Sequence, residues 1–158
     1  MTQMFLEDRF GPVIREKIAT IGSRVLRQIY VPDDIPMTVA AIGALIAAGA
    51  RIVLITGGMS VDPDDFTPGS IRASGADVIT YGAPVLPGAM FILAYLGDLP
   101  IIGLPGCVMY HQTSVIDLLL PRILAGERLT REDISTLGHG GMCRGCADCR
   151  YPSCGFGK

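Results

Sequence analysis

Apolar residues fall in short blocks separated by Gly, Pro and Asp, and their spacing changes from block to block. Val13, Ile14, Ile18 and Ile21 recur near the helical period over residues 12–21, and Gly22 supplies a stop. Residues 25–31 read as a strand that ends at Val31-Pro32-Asp33-Asp34, and residues 35–48 as a helix stopped near Gly49. Ile52-Val53-Leu54-Ile55 then runs into Thr56-Gly57-Gly58-Met59-Ser60, a buried strand leading to a loop whose backbone a ligand can approach closely. A short helix over residues 67–73 and strands over 77–81, 91–96 and 99–104 follow, with Gly97-Asp98 as a hairpin turn between the last two. The turn Gly103-Leu104-Pro105-Gly106 feeds a long helix over residues 108–124, whose first turn offers free N–H groups to an anion. This alternation predicts an α/β fold of three layers, α/β/α, with a mixed, mostly parallel sheet.

The longest uncharged run, residues 35–50, is broken by Pro36, Gly43 and Gly49 and closed by Arg51, too short for a membrane span. It reads as a buried helix. Apolar residues make up 49% of the 158-residue chain and charged residues 18%, a balance that excludes extensive disorder. A net charge of −2 without any Lys/Arg cluster argues against nucleic acid as a partner. No secretory signal pattern opens the sequence, so a cytoplasmic protein is expected.

Ligands of open parallel sheets sit beyond the carboxyl ends of the strands, which places the candidate site at the Thr-Gly-Gly loop. The acidic stretch after it carries Asp62, Asp64 and Asp65 ahead of Thr67-Pro68, more carboxylates than one helix cap requires. Asp33 and Asp65 are the candidate acidic residues, either as ligand or metal contacts or as turn and cap residues.

Thr56-Gly57-Gly58-x-Ser60, followed by Asp65 and Thr67-Pro68, resembles the ligand loop of the molybdopterin-binding domain family. That family includes molybdopterin adenylyltransferases and molybdenumtransferases. Val31-Pro32-Asp33-Asp34, Leu86-Pro87-Gly88 and Gly103-Leu104-Pro105-Gly106 are similar to its other motifs in order and spacing, so the resemblance spans residues 6–126. It implies that Thr56, Gly57, Gly58, Ser60, Pro87, Gly88, Gly103, Pro105 and Gly106 contact molybdopterin. Asp33 and Asp65 would serve the reaction centre, with magnesium-ATP as co-substrate if the chemistry is adenylylation. The resemblance also implies a homo-oligomer, dimer or trimer, and a molybdoenzyme or another cofactor-synthesis protein as partner. Two departures weaken anion binding. Leu86 and Ala89 flank the Pro-Gly loop where the molybdenum-inserting branch has lysines, and Asp62 stands where glycine is usual. A transferase-like enzyme and a non-catalytic cofactor carrier or scaffold therefore both remain open. The family's first strand is missing ahead of the first helix, which implies a truncated domain or a sheet with one strand fewer.

Residues 1–126 are thus expected to form the molybdopterin-binding domain, and residues 127–158 a linker and an irregular cysteine-rich extension. Cys143, Cys146, Cys149 and Cys154 follow a Cys-x-x-Cys-x-x-Cys-x-x-x-x-Cys spacing that lets four thiolates converge on one metal. An iron–sulfur cluster and structural zinc are both compatible with it, the interval before the last Cys differing from that of bacterial ferredoxins.

Overall fold

The structure, a computed structural model, describes residues 8–59 and 65–158. Ser60, Asp62 and Asp64 therefore lie outside the described residues.

The elements in chain order are α1 (Phe10–Thr20), α2 (Ile35–Ala47), β1 (Val53–Thr56), α3 (Phe66–Ala73), β2 (Asp77–Tyr81), β3 (Ile92–Leu96), β4 (Leu99–Leu104), α4 (Val115–Leu124) and α5 (Arg131–Thr136). Among the described residues, four strands form one sheet in the order β1-β4-β3-β2. β1 runs parallel to β4, whereas β2–β3 and β3–β4 are antiparallel. The hairpin turn sits at Gly97-Asp98 as expected, with Gly97 at φ 62°.

Side-chain alternation sends the strands' two faces into two cores. Leu93, Tyr95, Ile102 and Leu104 face Ile14 of α1 and Ile116, Leu119 and Ile123 of α4. Val53, Ile92, Ala94 and Ile101 face Ile42 of α2 and Ile71 of α3. The result is the expected three-layer α/β/α sandwich with a mixed sheet.

Residues 25–31 do not form the expected strand. Among the described residues they have no ladder partner, so parallel pairing there is confined to β1 and β4. An apolar run becomes a strand only when another edge accepts its N–H and C=O groups, and among the described residues none does so here.

The long helix expected over residues 108–124 is also divided. A single 3₁₀ turn, Gly106–Met109, comes first, and α4 begins only at Val115. The break is local chemistry. Ser114 and Asp117 form a reciprocal capping box, with the Ser114 N–H donating to Asp117 Oδ2 at 2.8 Å. Lys17 of α1 reaches the same carboxylate at 2.8 Å, both side chains being largely buried.

Beyond Gly126 the chain remains part of the same body. Leu129, Ile134, Leu137 and Phe156 are all buried in the core that α1 and α4 share with the sheet. The buried Tyr95 hydroxyl accepts from the Leu129 N–H at 3.0 Å, and the Arg128 guanidinium lies 4.2 Å from the Tyr95 ring centroid.

Thr130 caps α5 in a second capping box with Asp133. The Thr130 hydroxyl and N–H, together with Arg122, hold the Asp133 carboxyl down to about 2. A depressed carboxyl stabilises the fold while ionised. Its contribution is therefore complete above the ordinary value of 3.8 and is lost as pH falls through about 2. Urea melts of the wild type and Asp133→Asn should differ most near neutrality, and the gap should close as pH falls toward 2.

Candidate functional site

The parallel register pairs Ile55 with Gly103 and Thr56 with Leu104. The loops Thr56-Gly57-Gly58 and Leu104-Pro105-Gly106 consequently leave the sheet side by side, at the carboxyl ends of adjacent parallel strands. Their glycines differ in what surrounds them. Among the described residues, Gly57 and Gly106 face open space, with no heavy atom within 4 Å of where a Cβ would stand. Gly57 also has φ 87°, a conformation other residues rarely adopt. Gly58, at φ 54°, packs against the start of α3, where a Cβ would sit 3.0 Å from Thr67 Oγ1.

Thr67 fixes that loop to the helix, its hydroxyl donating to the Gly57 carbonyl at 2.8 Å. Asp65 occupies the N-cap position of α3 without its side chain making the capping bond. The pair before α2 divides its roles: Asp34 Oδ1 accepts from the Met37 N–H at 2.8 Å and caps the helix, while Asp33 is exposed. α2 and α3 pack together, a Cβ on Gly69 being 3.3 Å from Ile35 Cδ1. The turns bearing Asp33 and Asp65 therefore open at the same end of the sandwich as the two glycine loops.

Gly103 and Gly88 have structural reasons to be glycine. A Cβ on the buried Gly103 would lie 2.3 Å from Ile92 Cγ2 and 3.1 Å from Met59 Sδ. On Gly88, at φ 123°, it would lie 2.4 Å from Val115 Cγ1. The Pro87 carbonyl accepts from the Val115 N–H at 3.0 Å, so the Pro-Gly loop is bolted to the first turn of α4. That carbonyl and the Ser114 cap occupy the start of α4, so the first turn that follows Gly103-Leu104-Pro105-Gly106 is the 3₁₀ turn Gly106–Met109. A pocket of about 420 Å³ beside the loop is lined by Pro87, Gly88, Pro105, Cys107, His111 and Cys143. Burial pushes the Cys107 thiol up, so it stays protonated there. From sequence alone Cys107 reads as a small space-filling thiol that could touch a ligand and His111 as a solvent-facing or capping residue; both line this pocket.

The tail returns to this end of the molecule. Leu86 and Met142 form a parallel bridge, the Leu86 N–H donating to the Gly141 carbonyl at 2.6 Å and the Cys143 N–H to the Leu86 carbonyl at 2.8 Å. Among the described residues no group of three or more His, Cys, Asp or Glu side chains is placed to hold one metal ion. Cys143 and Cys154 are half-buried, Cys146 and Cys149 exposed. The four thiols are thus not gathered at one centre.

Cys149 has a separate environment. Its Sγ lies 3.2 Å from the Thr113 hydroxyl, and that hydroxyl, with the Tyr151 N–H, pulls the thiol below its ordinary value. Cys149 should be the first cysteine alkylated by iodoacetamide at neutral pH, as read by mass mapping, and Thr113→Val should slow it several-fold relative to Cys146.

The same architecture occurs in the tungsten cofactor synthesizing protein MoaB from Pyrococcus furiosus, whose crystal structure superposes with a TM-score of 0.58 at 20% identity, covering 78% of this chain and 88% of that one. Among curated proteins, the molybdenum cofactor biosynthesis bifunctional protein of Synechococcus elongatus is 37% identical over 70 residues, which are 44% of this chain and 22% of that protein. The molybdopterin adenylyltransferase of Pyrococcus furiosus is 38% identical over 66 residues, 42% of this chain and 38% of that protein. A CinA-like protein of a Geobacter species aligns more widely, at 29% identity over 139 residues, 87% of this chain and 30% of that protein. In each case the match covers well under half of the curated relative's own length. The family model for a probable molybdopterin binding domain matches residues 3–125, taking in both glycine loops, the Asp33 turn and the start of α3, and the chain belongs to that family.

Proposed function

We propose that this chain binds molybdopterin across the carboxyl ends of β1 and β4 and acts in molybdenum-cofactor synthesis as an adenylyl- or molybdenum-transferase-like protein. The observation that carries the reading is the pair of adjacent loops whose outer glycines, Gly57 and Gly106, present backbone to open space. Backbone N–H groups without a Cβ can approach a terminal phosphate closely, and the Thr56 hydroxyl, exposed at the end of β1, adds a donor. Asp33 and Asp65 stand at the same rim. They would hold a magnesium ion, which would supply charge neutralisation for a nucleotide co-substrate, with rate coming from that and from positioning. The names and matches of the relatives support cofactor synthesis as the setting.

A second reading, a carrier that binds cofactor without turnover, is favoured by one specific feature. The Pro-Gly loop is flanked by Leu86 and Ala89, and the pocket beside it contains no lysine or arginine. An anion there would lack the cationic partners that transfer to or from it calls for. In this reading the tail docked on Leu86 is the surface offered to a receiving molybdoenzyme.

Anaerobic incubation of the purified chain with molybdopterin and magnesium-ATP separates these readings. Retained molybdopterin with adenylylated product, lost in Asp33→Asn and Asp65→Asn, establishes the transferase. Retention without product selects the carrier. Failure to retain molybdopterin overturns both.

A further inference from the structure

The four cysteines that follow Gly141 stand in two environments. Cys143 and Cys154 are half-buried and pack against the core that α1 and α4 share with the sheet. Cys146 and Cys149 are exposed, as is every position of residues 144–150. That stretch is an outward loop tied down at both ends. At one end the Cys143 N–H donates to the Leu86 carbonyl at 2.8 Å, and at the other the Tyr151 hydroxyl donates to the Asp117 carbonyl at 2.9 Å. Gly145 turns the chain at φ 61°, and a bend at Ala147 and Asp148 lies between the two exposed thiols.

One of these thiols is held in position by the body of the protein. Cys149 Sγ lies 3.2 Å from the Thr113 hydroxyl. Thr113 is only 5% exposed, and a buried hydroxyl needs a partner, so the sulfur belongs to the packing of the α4 start. A hydroxyl aimed at sulfur can donate to the thiolate, which is the nucleophilic form. Cys146 stands across the bend in Cys146-Ala147-Asp148-Cys149, the two-residue spacing at which neighbouring thiols close into a small disulfide ring.

We propose that Cys146 and Cys149 are a redox-active dithiol that exchanges with small disulfides, Cys149 attacking and Cys146 resolving. With its proton released to solvent, Cys149 Sγ attacks one sulfur of a disulfide R–S–S–R. A Cys149–S–S–R bond forms, and RS⁻ leaves and takes up a proton. The Cys146 thiolate then attacks Cys149 Sγ, the Cys146–Cys149 bond forms, and the second RS⁻ leaves. Two electrons have passed from the dithiol to the disulfide, which ends as two RSH. Cys143 and Cys154 stay out of the exchange because core packing covers them, and they hold the loop in place.

Closing the pair also turns the thiol that meets Thr113 into a disulfide sulfur. Thr113 precedes the Ser114 cap of α4, in the joint that follows the 3₁₀ turn at Gly106. Any effect of oxidation on ligand retention rests on the proposed function; the dithiol itself does not.

Mass mapping of the reduced full chain after brief exposure to glutathione disulfide tests the proposal. Trypsin cuts after Arg144 and Arg150, so residues 145–150 form one peptide that carries both exposed cysteines and neither of the others. When the remaining thiols are alkylated in denaturant, that peptide should appear unlabelled and two hydrogens lighter, while Cys143 and Cys154 are recovered alkylated. Cys146→Ser should stop at a mixed disulfide, with one glutathione on Cys149. Cys149→Ser should slow the loss of the Cys146 thiol at least about tenfold. The wild-type map needs no variant, and both replaced side chains are exposed, so the fold is kept. A peptide whose two thiols both stay free overturns the proposal, and so does equal reaction at all four cysteines or a Cys149→Ser chain that oxidises at the wild-type rate. One equivalent of zinc or iron in the purified chain, lost when any one of the four cysteines is replaced by Ser, overturns it too and assigns the thiols to a metal.

Discussion

Gly88→Ala is expected to unfold much of the protein at temperatures the wild type withstands, whereas Gly106→Ala is expected to leave the melt unchanged and to abolish ligand retention. The two glycines belong to neighbouring loops, so the contrast comes from what surrounds each. At Gly88 the backbone is held at φ 123°, and a new Cβ would stand 2.4 Å from Val115 Cγ1, 2.5 Å from its Cβ and 3.0 Å from its N. Val115 is wholly buried at the first position of α4 and cannot yield without lifting the helix start away from the Pro87 carbonyl that accepts its N–H. Backbone strain of about 1–3 kcal/mol adds to an overpacking cost of similar size, a total of about 2–6 kcal/mol against a typical domain stability of about 5–15. At Gly106 none of the described residues lies within 4 Å of the added methyl, and φ is not positive, so stability should change by less than about 0.5 kcal/mol. The methyl would instead project into the space where molybdopterin is proposed to meet the backbone. Gly57→Ala is intermediate: the space is open but φ is 87°, so a loss of about 1–2 kcal/mol accompanies the loss of ligand. Thermal melts and a molybdopterin retention assay on the three variants read both quantities. A stable Gly88→Ala would remove the packing account, and a Gly106→Ala variant that retains ligand would displace the proposed site.

Much of this arrangement was legible in the sequence, and what was not has identifiable physical causes. The limits of β2 and β4, the hairpin at Gly97-Asp98 and the start of α2 follow from signals within a few residues of each boundary. Residues 25–31 carry an equally good strand pattern and make no ladder among the described residues, because pairing depends on a second edge that no local pattern reports. The interruption before α4 was available as Ser114-x-x-Asp117, but apolar spacing running from Val108 to Ile123 suggested one continuous helix; capping overrode periodicity. Within the site, Asp33 and Asp34 are indistinguishable in sequence, and only the hydrogen bond to the Met37 N–H assigns the cap to Asp34. Gly57, Gly88, Gly103 and Gly106 likewise read alike as loop or strand-end glycines, though two accommodate packing and two face open space.

The tail was the least legible part, and it sets the other large expected effect. Truncation after Gly140 should destabilise the entire α/β body rather than release a separable appendage. Phe156 is 4% exposed and sits in the core formed by α1, α4 and one face of the sheet. A Cβ on Gly157 would lie 2.6 Å from Leu118 Cδ2, a measure of how closely the last residues lie on α4. The Tyr151 hydroxyl donates to the Asp117 carbonyl at 2.9 Å, and the Gly157 N–H donates to the Gly140 carbonyl at 2.7 Å. Removing a buried Phe side chain alone costs about 3–5 kcal/mol. The truncation also exposes Leu118 and the Leu86 edge on which the tail is seated, so a loss of about 5 kcal/mol or more is expected. Phe156→Ala isolates the core contribution while keeping every cysteine in place. If it lowers the urea midpoint nearly as far as the truncation does, the tail is held chiefly by packing, and any loss of partner binding in a truncated chain reports unfolding before it reports thiols. If Phe156→Ala is neutral while Cys143→Ser and Cys154→Ser together are severe, the half-buried cysteines anchor the tail, and metal content of the purified chain becomes the deciding measurement.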